Sequence, residues 1–144
     1  SRTPSRRKVT PMPHTIVNPA ELHDPTPFGY SHTASIPPGA ELVLVSGQYG
    51  SNPDGSVVST DFGEQVQRAF QNLGTALAAH GLTLADVVQL RTYMVSPDFE
   101  KLGTIGGVVA AACGEALPTQ TVIGVAALAM PDILFEVEAV AVRP

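Results

Sequence analysis

The C-terminal stretch of the chain constrains the fold more than any other feature. From Ile133 to Val142, side chains of two kinds alternate, as in a β-strand that buries one face. One face carries Ile133, Phe135, Val137 and Ala139, and the other carries Leu134, Glu136, Glu138 and Val140. Carboxylates are rarely buried without a partner, so this second face is either a solvent-facing edge or a face with a function.

Similar patterns predict the remaining elements. Leu117–Val125 is rich in Thr and Val with Pro118 at its entry, which is typical of a strand. Alternating or continuous apolar runs predict further strands at His14–Val17, His32–Ile36, Glu41–Val45 and Asp86–Val95. Helical spacing from Asp61 to His80-Gly81 predicts a first helix, whose apolar stripe is Phe62, Val66, Ala69, Phe70, Leu73 and Leu77.

A second helix is predicted from Ser96 as N-cap, with Pro97 as its first residue, to about Cys113. Its predicted buried stripe consists of Phe99, Leu102, Val109 and Cys113. Three glycines stand in its interior: Gly103, Gly106 and Gly107. Glycine destabilises a helix relative to alanine, so we expect close packing at these positions.

The order of the elements predicts an α+β domain over residues 14–144, with a mixed sheet and two helices on one face. The other sheet face is also apolar in pattern, so we expect another subunit to cover it. Residues 1–13, with four basic side chains and three prolines, are expected to be a disordered arm or a remnant of an expression tag.

Charge and composition exclude some classes of partner. From residue 9 onward four basic residues stand against 13 acidic ones, a net charge of −9, which disfavours nucleic acid as a partner. No apolar run is long enough to span a membrane, and no signal-peptide pattern is present. Cys113 is the only cysteine, which favours a cytoplasmic protein and a core position for this side chain.

Isolated motifs leave alternatives open. The chain has no phosphate loop, no nucleophile elbow and no His/Cys cluster with metal-ligand spacing, so we expect neither a cofactor nor a metal, and we expect surface or structural roles for the four histidines. Gly47, within Ser46-Gly47-Gln48, indicates either a bulge that approaches a ligand or a simple turn. Arg91, inside an apolar strand, is at an edge, paired to a carboxylate or available to an anion.

Several short motifs occur together in a characteristic order. They are Phe28-Gly29-Tyr30-Ser31, Val45-Ser46-Gly47-Gln48, Asp61-Phe62 with Gln65, Ala69-Phe70-Gln71-Asn72-Leu73, Gly81, Asp86-Val87-Val88, Asp98-Phe99, Pro118-x-x-Thr121 and Glu136-Val137-Glu138-Ala139. This series resembles the reactive intermediate deaminase (Rid, or YjgF-like) family over residues 14–144. The resemblance implies a chorismate-mutase-like fold and a homotrimer with ligand clefts between subunits.

The resemblance also implies roles for particular residues. Active members hold a substrate carboxylate with an arginine, and a glutamate on the last strand positions the water that attacks an imine carbon. That glutamate corresponds to Glu136, assuming a one-residue insertion near Met130, and the cleft residues correspond to Tyr30, Ser46, Gly47 and Gln48. Gln120 stands where the arginine is expected, beside Thr121 and Val122, and Gly103 stands where an asparagine is often found.

Glutamine can hydrogen-bond a carboxylate but cannot neutralise it. Two hypotheses follow. The protein is either a deaminase for a neutral imine, enamine or amide-like metabolite, with Gln120 and Glu136 as catalytic residues, or a non-catalytic metabolite-binding or regulatory trimer. In the first case, Arg91 is a candidate to replace the lost charge.

Overall fold

The computed structural model describes residues 14–143. The predicted basic arm at residues 1–13 therefore lies outside the described residues. The strands are β1 (Thr15–Val17), β2 (Thr33–Ser35), β3 (Glu41–Tyr49), β4 (Val87–Val95), β5 (Thr119–Val125) and β6 (Phe135–Arg143). The helices are α1 (Phe62–Ala78) and α2 (Phe99–Cys113), and short 3-10 turns occur at Thr26–Phe28 and Leu84–Asp86.

The main sheet has the strand order β3-β6-β4-β5, and β1 and β2 form a separate antiparallel pair. Strand β6 is antiparallel to both neighbours, whereas β4 and β5 are parallel and are joined through α2. The predicted α+β fold, with a mixed sheet and two helices, is confirmed. No helix between residues 14 and 143 is long and apolar enough to cross a membrane.

The predicted faces of β6 are confirmed. Phe135, Val137 and Ala139 are buried, while Glu136 and Glu138 lie half-buried on the other face, which we call the open face of the sheet. Helix α1 covers the buried face with the predicted stripe, of which only Phe62 stays partly exposed.

A buried glutamine of α1 fixes the entry to β6. Gln65 donates through Nε2 to the carbonyls of Ser59 and Asp132, and its Oε1 accepts from the backbone N–H of Leu134 at 2.9 Å. All three contacts are internal to the chain, so the first residues of β6, including Glu136, are held in a defined place.

The predicted start of α2 is wrong by two residues. Asp98 is the N-cap, and its side chain accepts from the backbone N–H of Lys101 at 2.8 Å. Ser96 has a φ of 52° and lies in the preceding turn. Both residue types cap helices, but a carboxylate also interacts favourably with the positive end of the helix dipole.

The prediction that Phe99 and Leu102 belong to the buried stripe of α2 is also wrong. Ile105, Val109 and Cys113 are buried, but Phe99 is 92% exposed and Leu102 is 40% exposed. At about 100° per residue, Phe99 is rotated by roughly a third of a turn from Ile105. The N-terminal turn of α2 therefore presents apolar side chains away from the core.

Candidate functional site

A cavity of about 810 Å³ lies between the loop from His23 to Tyr30, helix α2 and the edge strand β5. Its apolar lining consists of Pro27, Phe28, Phe99, Leu102, Ile105 and Val122. Its other lining residues are His23, Tyr30, Gln120, Thr121 and the three glycines of α2. Among the described residues that line it, none is Asp, Glu, Lys or Arg. We call it the large cavity.

The loop beside the large cavity is held by local hydrogen bonds and one close approach. Asp24 accepts from the backbone N–H of Thr26 at 3.0 Å and from its hydroxyl at 2.7 Å, which lowers the pKa of this carboxyl. Gly29 takes a left-handed φ of 82°, and a Cβ at Gly106 would lie 2.8 Å from the carbonyl oxygen of Phe28. The loop and α2 therefore touch through backbone atoms.

The glycine positions of α2 differ in their surroundings. The predicted close packing is confirmed at Gly106, whereas at Gly103 and Gly107 a Cβ would meet no atom of the same chain within 4 Å. Each of these two glycines costs about 0.5–1 kcal/mol relative to alanine in a helix interior. Packing within the chain does not account for that cost.

Gln120 faces the large cavity from the helix side of the sheet. Its register partner on β4 is the buried Leu90, and its Oε1 accepts from the hydroxyl of the fully buried Thr92 at 2.8 Å. The carbonyl end of the amide is thus occupied. Within residues 14–143 the Nε2 group has no hydrogen-bond partner, so it can donate to a bound molecule.

Tyr30 lies in a cluster of aromatic rings at the loop. His23 Nε2 and Tyr30 Oη are 2.6 Å apart, and His32 Nε2 is 2.7 Å from the carbonyl oxygen of His23. The His23 ring also makes edge contacts with Phe28 and His32. The sequence predicted surface or structural roles for these histidines. The alternation of Tyr30 and His32 along the chain was the one signal that these two side chains share a face.

A second cavity, of about 180 Å³, adjoins the first and is predominantly polar. It shares Tyr30, Gln120 and Thr121 with the large cavity. Its remaining lining residues are Ser31, His32, Gln89, Leu90 and Thr119. We call it the small cavity. Gln120 therefore lies at the boundary between an apolar space and a polar one.

The predicted glutamate lies elsewhere, on the open face. Strand β3 has an irregularity between Val45 and Gln48, as expected for a bulge, and Glu136 fills the space beside Gly47. A Cβ at Gly47 would overlap Oε1 of Glu136. Ser46 is exposed next to Gly47, and the side-chain amide of Gln48 donates to the backbone carbonyl oxygen of Ser46 at 3.2 Å. The glycine thus makes room for a side chain of the same chain.

Arg91 also lies on the open face. It is exposed and stands in register with Glu138 on β6 and Thr121 on β5. Tyr93, which sequence reasoning did not single out, donates from its hydroxyl to Glu138, and this hydrogen bond raises the pKa of the tyrosine. The position of Tyr93, two residues after Arg91 in the same strand, was the available signal that the two side chains share a face.

The predicted site residues therefore form two groups separated by the sheet. Tyr30, Gly103, Gln120 and Val122 line the large cavity, whereas Gly47, Arg91 and Glu136 lie on or beside the open face. Thr121 is in register with Arg91 yet also borders both cavities at the sheet edge. Within residues 14–143, no three His, Cys, Asp or Glu side chains are grouped as a metal site.

Comparisons with known proteins agree on one family. A family model described as endoribonuclease L-PSP matches residues 23–143. The RutC family protein YjgH of Escherichia coli K12 is 36% identical over 132 residues, covering 90% of this chain and 95% of YjgH. The structure of the Rid-family protein YyfB of Yersinia pestis is 36% identical with a TM-score of 0.85, covering 90% of this chain and 98% of YyfB.

The structure of TdcF of E. coli, which contains bound serine, is 27% identical with a TM-score of 0.63 and covers 76% of this chain and 85% of TdcF. The chain belongs to the Rid, or YjgF-like, family, as its motifs predicted. Membership of this family supports a protein that binds a small metabolite.

Proposed function

We propose that the protein binds a small metabolite in clefts between the subunits of a homotrimer, and that it hydrolyses an uncharged imine or enamine there. The absence of Lys and Arg among the described residues lining the large cavity carries this proposal. Gln120 offers an amide N–H₂ group where active members of the family hold a carboxylate with arginine.

The placement of Gln120 and Glu136 supports a cleft between subunits. The two side chains lie on opposite faces of one sheet, which separates them within one chain. A neighbouring subunit on the open face would bring its own Gln120 towards Glu136. The open face also carries Leu44, which is 74% exposed, and Ile123, which is 39% exposed, and a subunit interface would cover both.

The proposed chemistry requires one base and one water molecule. Glu136 takes a proton from water as the oxygen attacks the imine carbon, which forms a C–O bond and moves the C=N electron pair to nitrogen. Glu136 returns this proton to the nitrogen, which gives a neutral carbinolamine. The hydroxyl proton of the carbinolamine then transfers to the amine nitrogen through the same carboxylate, and the oxygen lone pair forms the C=O bond as the C–N bond breaks. Ammonia leaves, a carbonyl compound remains, and Glu136 returns to its carboxylate form. An enamine must first tautomerise to the imine.

The change from arginine to Gln120 favours a neutral substrate. A hydrogen bond to a charged group contributes about 1.5–3 kcal/mol, against about 0.5–1.5 kcal/mol for a neutral one. Arginine also offers a planar fork that matches a carboxylate, which glutamine lacks. Glutamine binds a neutral carbonyl or imine acceptor without leaving a charge unpaired.

The alternative is a non-catalytic trimer that binds or senses a metabolite. The separation of Glu136 from the large cavity favours it, because the carboxylate already rests beside Gly47.

Nucleic acid is not the ligand of either proposal. A net charge of −9 over residues 9–144, from four basic and 13 acidic side chains, repels phosphates.

Ammonia release tests the proposal. An uncharged imine can be generated in situ from benzylamine by a flavin-dependent amine oxidase, and we expect the protein to accelerate ammonia release above spontaneous hydrolysis. Glu136→Gln should lower this acceleration by about 10²–10⁴-fold, since it removes the base. The exposed Glu115 provides the matched control, because Glu115→Gln makes the same charge change and should have no effect.

Sedimentation equilibrium measures the assembly separately. Three chains per particle are expected, and a monomer at working concentration would overturn the inter-subunit cleft. A trimer without ammonia release would support the binding alternative.

A further inference from the structure

Two glycines of α2 leave open space that the fold does not need. A Cβ at Gly103 or Gly107 would meet nothing within 4 Å, and neither residue has a left-handed φ. They lie four residues apart, on one face of the helix, and both line the large cavity. Alanine or a larger residue would favour the helix and fit there. Both glycines are exposed within the chain, so the space above them is available to a molecule outside the chain's own packing.

The rest of the large cavity indicates what its occupant is made of. Its walls include Phe28, which is 64% exposed, and Phe99, which is 92% exposed. A volume of about 810 Å³ lies within the range that accommodates drug-sized ligands. Within one chain, a small imine of a few carbon atoms would leave most of this space unfilled and both phenyl rings uncovered.

The small cavity indicates a second, polar part of the occupant. It adjoins the large cavity at Tyr30 and Gln120, and its other polar side chains are Ser31, His32, Gln89 and Thr119. Because Thr92 occupies the Gln120 carbonyl, the amide offers donors at this boundary and no positive charge. An acceptor such as a carbonyl or imine nitrogen fits these donors, whereas the Gln120 amide cannot neutralise an anion.

We propose that the two cavities together take one ligand: a planar apolar group the size of an indole or substituted phenyl ring, joined to an uncharged head with a carbonyl or imine acceptor. The ring lies over Gly103 and Gly107, and the head meets Gln120. This inference rests on the proposed function and deepens it, because it names the ligand class of the same site.

Three commercial probes separate the parts of the proposal. Indole-3-acetamide has the ring and the neutral head, indole-3-acetate has the ring and an anionic head, and propionamide has the head alone. The protein contains no Trp, so the fluorescence anisotropy of the two indoles reports binding without a tryptophan background. Propionamide is tested by its competition with indole-3-acetamide.

We expect indole-3-acetamide to bind, and indole-3-acetate and propionamide to bind weaker by about tenfold or more. Gly107→Leu should weaken indole-3-acetamide by at least about tenfold, because leucine fills the space of the ring. The matched control is Ala110→Leu, on the same helix, exposed and outside the lining, which should leave binding unchanged. If Gly107→Leu does not fold, Gly107→Ala provides the same test, because its methyl group occupies a smaller part of the space assigned to the ring.

Several results would overturn the inference. Equal affinities for indole-3-acetamide and indole-3-acetate would show that the site does not require an uncharged head. Equal affinities for indole-3-acetamide and propionamide would show that the site does not recognise the ring. Unchanged binding in Gly107→Leu would place the ring elsewhere, and a crystal structure with a neighbouring subunit inside the large cavity would replace the ligand altogether.

The inference and the proposed function fail in different ways. Ammonia release from a small aliphatic imine, generated in situ from butylamine, without binding of the indole-3-acetamide probe would reject the ligand class and keep the deaminase. Binding of that probe by a trimer that releases no ammonia would keep the ligand class and reject the deaminase.

Discussion

The hydroxyl of Thr92 donates a 2.8 Å hydrogen bond to Oε1 of Gln120, and this contact turns the amide so that its N–H₂ group is left for the cavity. Thr92 is fully buried, so the orientation is set by the sheet and not by solvent. Arginine at this position could accept no such bond, because its guanidinium has no acceptor.

Gln120→Arg should shift the preference of the site towards carboxylates. With 2-iminobutanoate or 2-aminoacrylate generated in situ, we expect little ammonia release from the wild type and a rise of about fivefold or more in the variant, as a charged hydrogen bond replaces a neutral one. Gln71→Arg, at an exposed site on α1, makes the same chemical change outside the cavity. Wild-type activity on these anionic imines would contradict our interpretation of Gln120.

Gly47→Ala tests the contact between the β3 bulge and Glu136. The added Cβ would overlap the carboxylate, but that carboxylate is the end of a flexible side chain and can move. We therefore expect a loss of about 1 kcal/mol in the free energy of unfolding, measured by urea denaturation. In a Glu136→Ala background the same substitution should cost close to nothing, so that the double-mutant cycle has a clear coupling energy. Equal costs in both backgrounds would mean that the two residues do not interact.

Neighbouring glycines of α2 should respond in opposite ways to alanine. Gly106→Ala places a Cβ 2.8 Å from the backbone oxygen of Phe28, which cannot move alone, so we expect a loss of about 1–3 kcal/mol in stability. Gly107→Ala meets open space and should gain about 0.5–1 kcal/mol from helix propensity. Urea denaturation of the two variants measures the contrast, and similar stabilities would contradict the observed packing.

Burial raises the pKa of the Cys113 thiol from 9.0 to about 11, because the charged thiolate loses its solvation in the core. A folded pKa above the unfolded value favours the neutral form. The contribution of the neutral thiol to the free energy of unfolding is fully present below about pH 9 and is lost as the pH rises through about 11. Urea denaturation across this window should show a steeper loss for the wild type than for Cys113→Ala, and parallel curves would contradict the shift.

Thiol labelling provides an independent check of the same residue. At about pH 8 the folded protein should react with a disulfide reagent only as fast as its core opens, since the thiol is protonated and buried. Rapid labelling without denaturant would mean that Cys113 is accessible.

The elements and their faces could be predicted because they depend on neighbours along the chain. The alternation in β6 placed Phe135 and Glu136 on opposite faces, and the stripe of α1 gave its buried side, since one periodic pattern decides each. The start of α2 could not be predicted in this way. Ser96 and Asp98 both satisfy the local pattern of an N-cap, and the φ of Ser96 depends on how the turn leaves β4.

The sequence by itself determined the α+β class, the position of most elements and, through its motifs, the Rid family. Only the tertiary structure decided that Gly106 is packed while Gly107 is open, that Glu136 rests beside Gly47, and that His23 meets Tyr30. Periodicity records which way a side chain points from its own element. What lies opposite depends on how distant segments pack, and no local pattern encodes that distance.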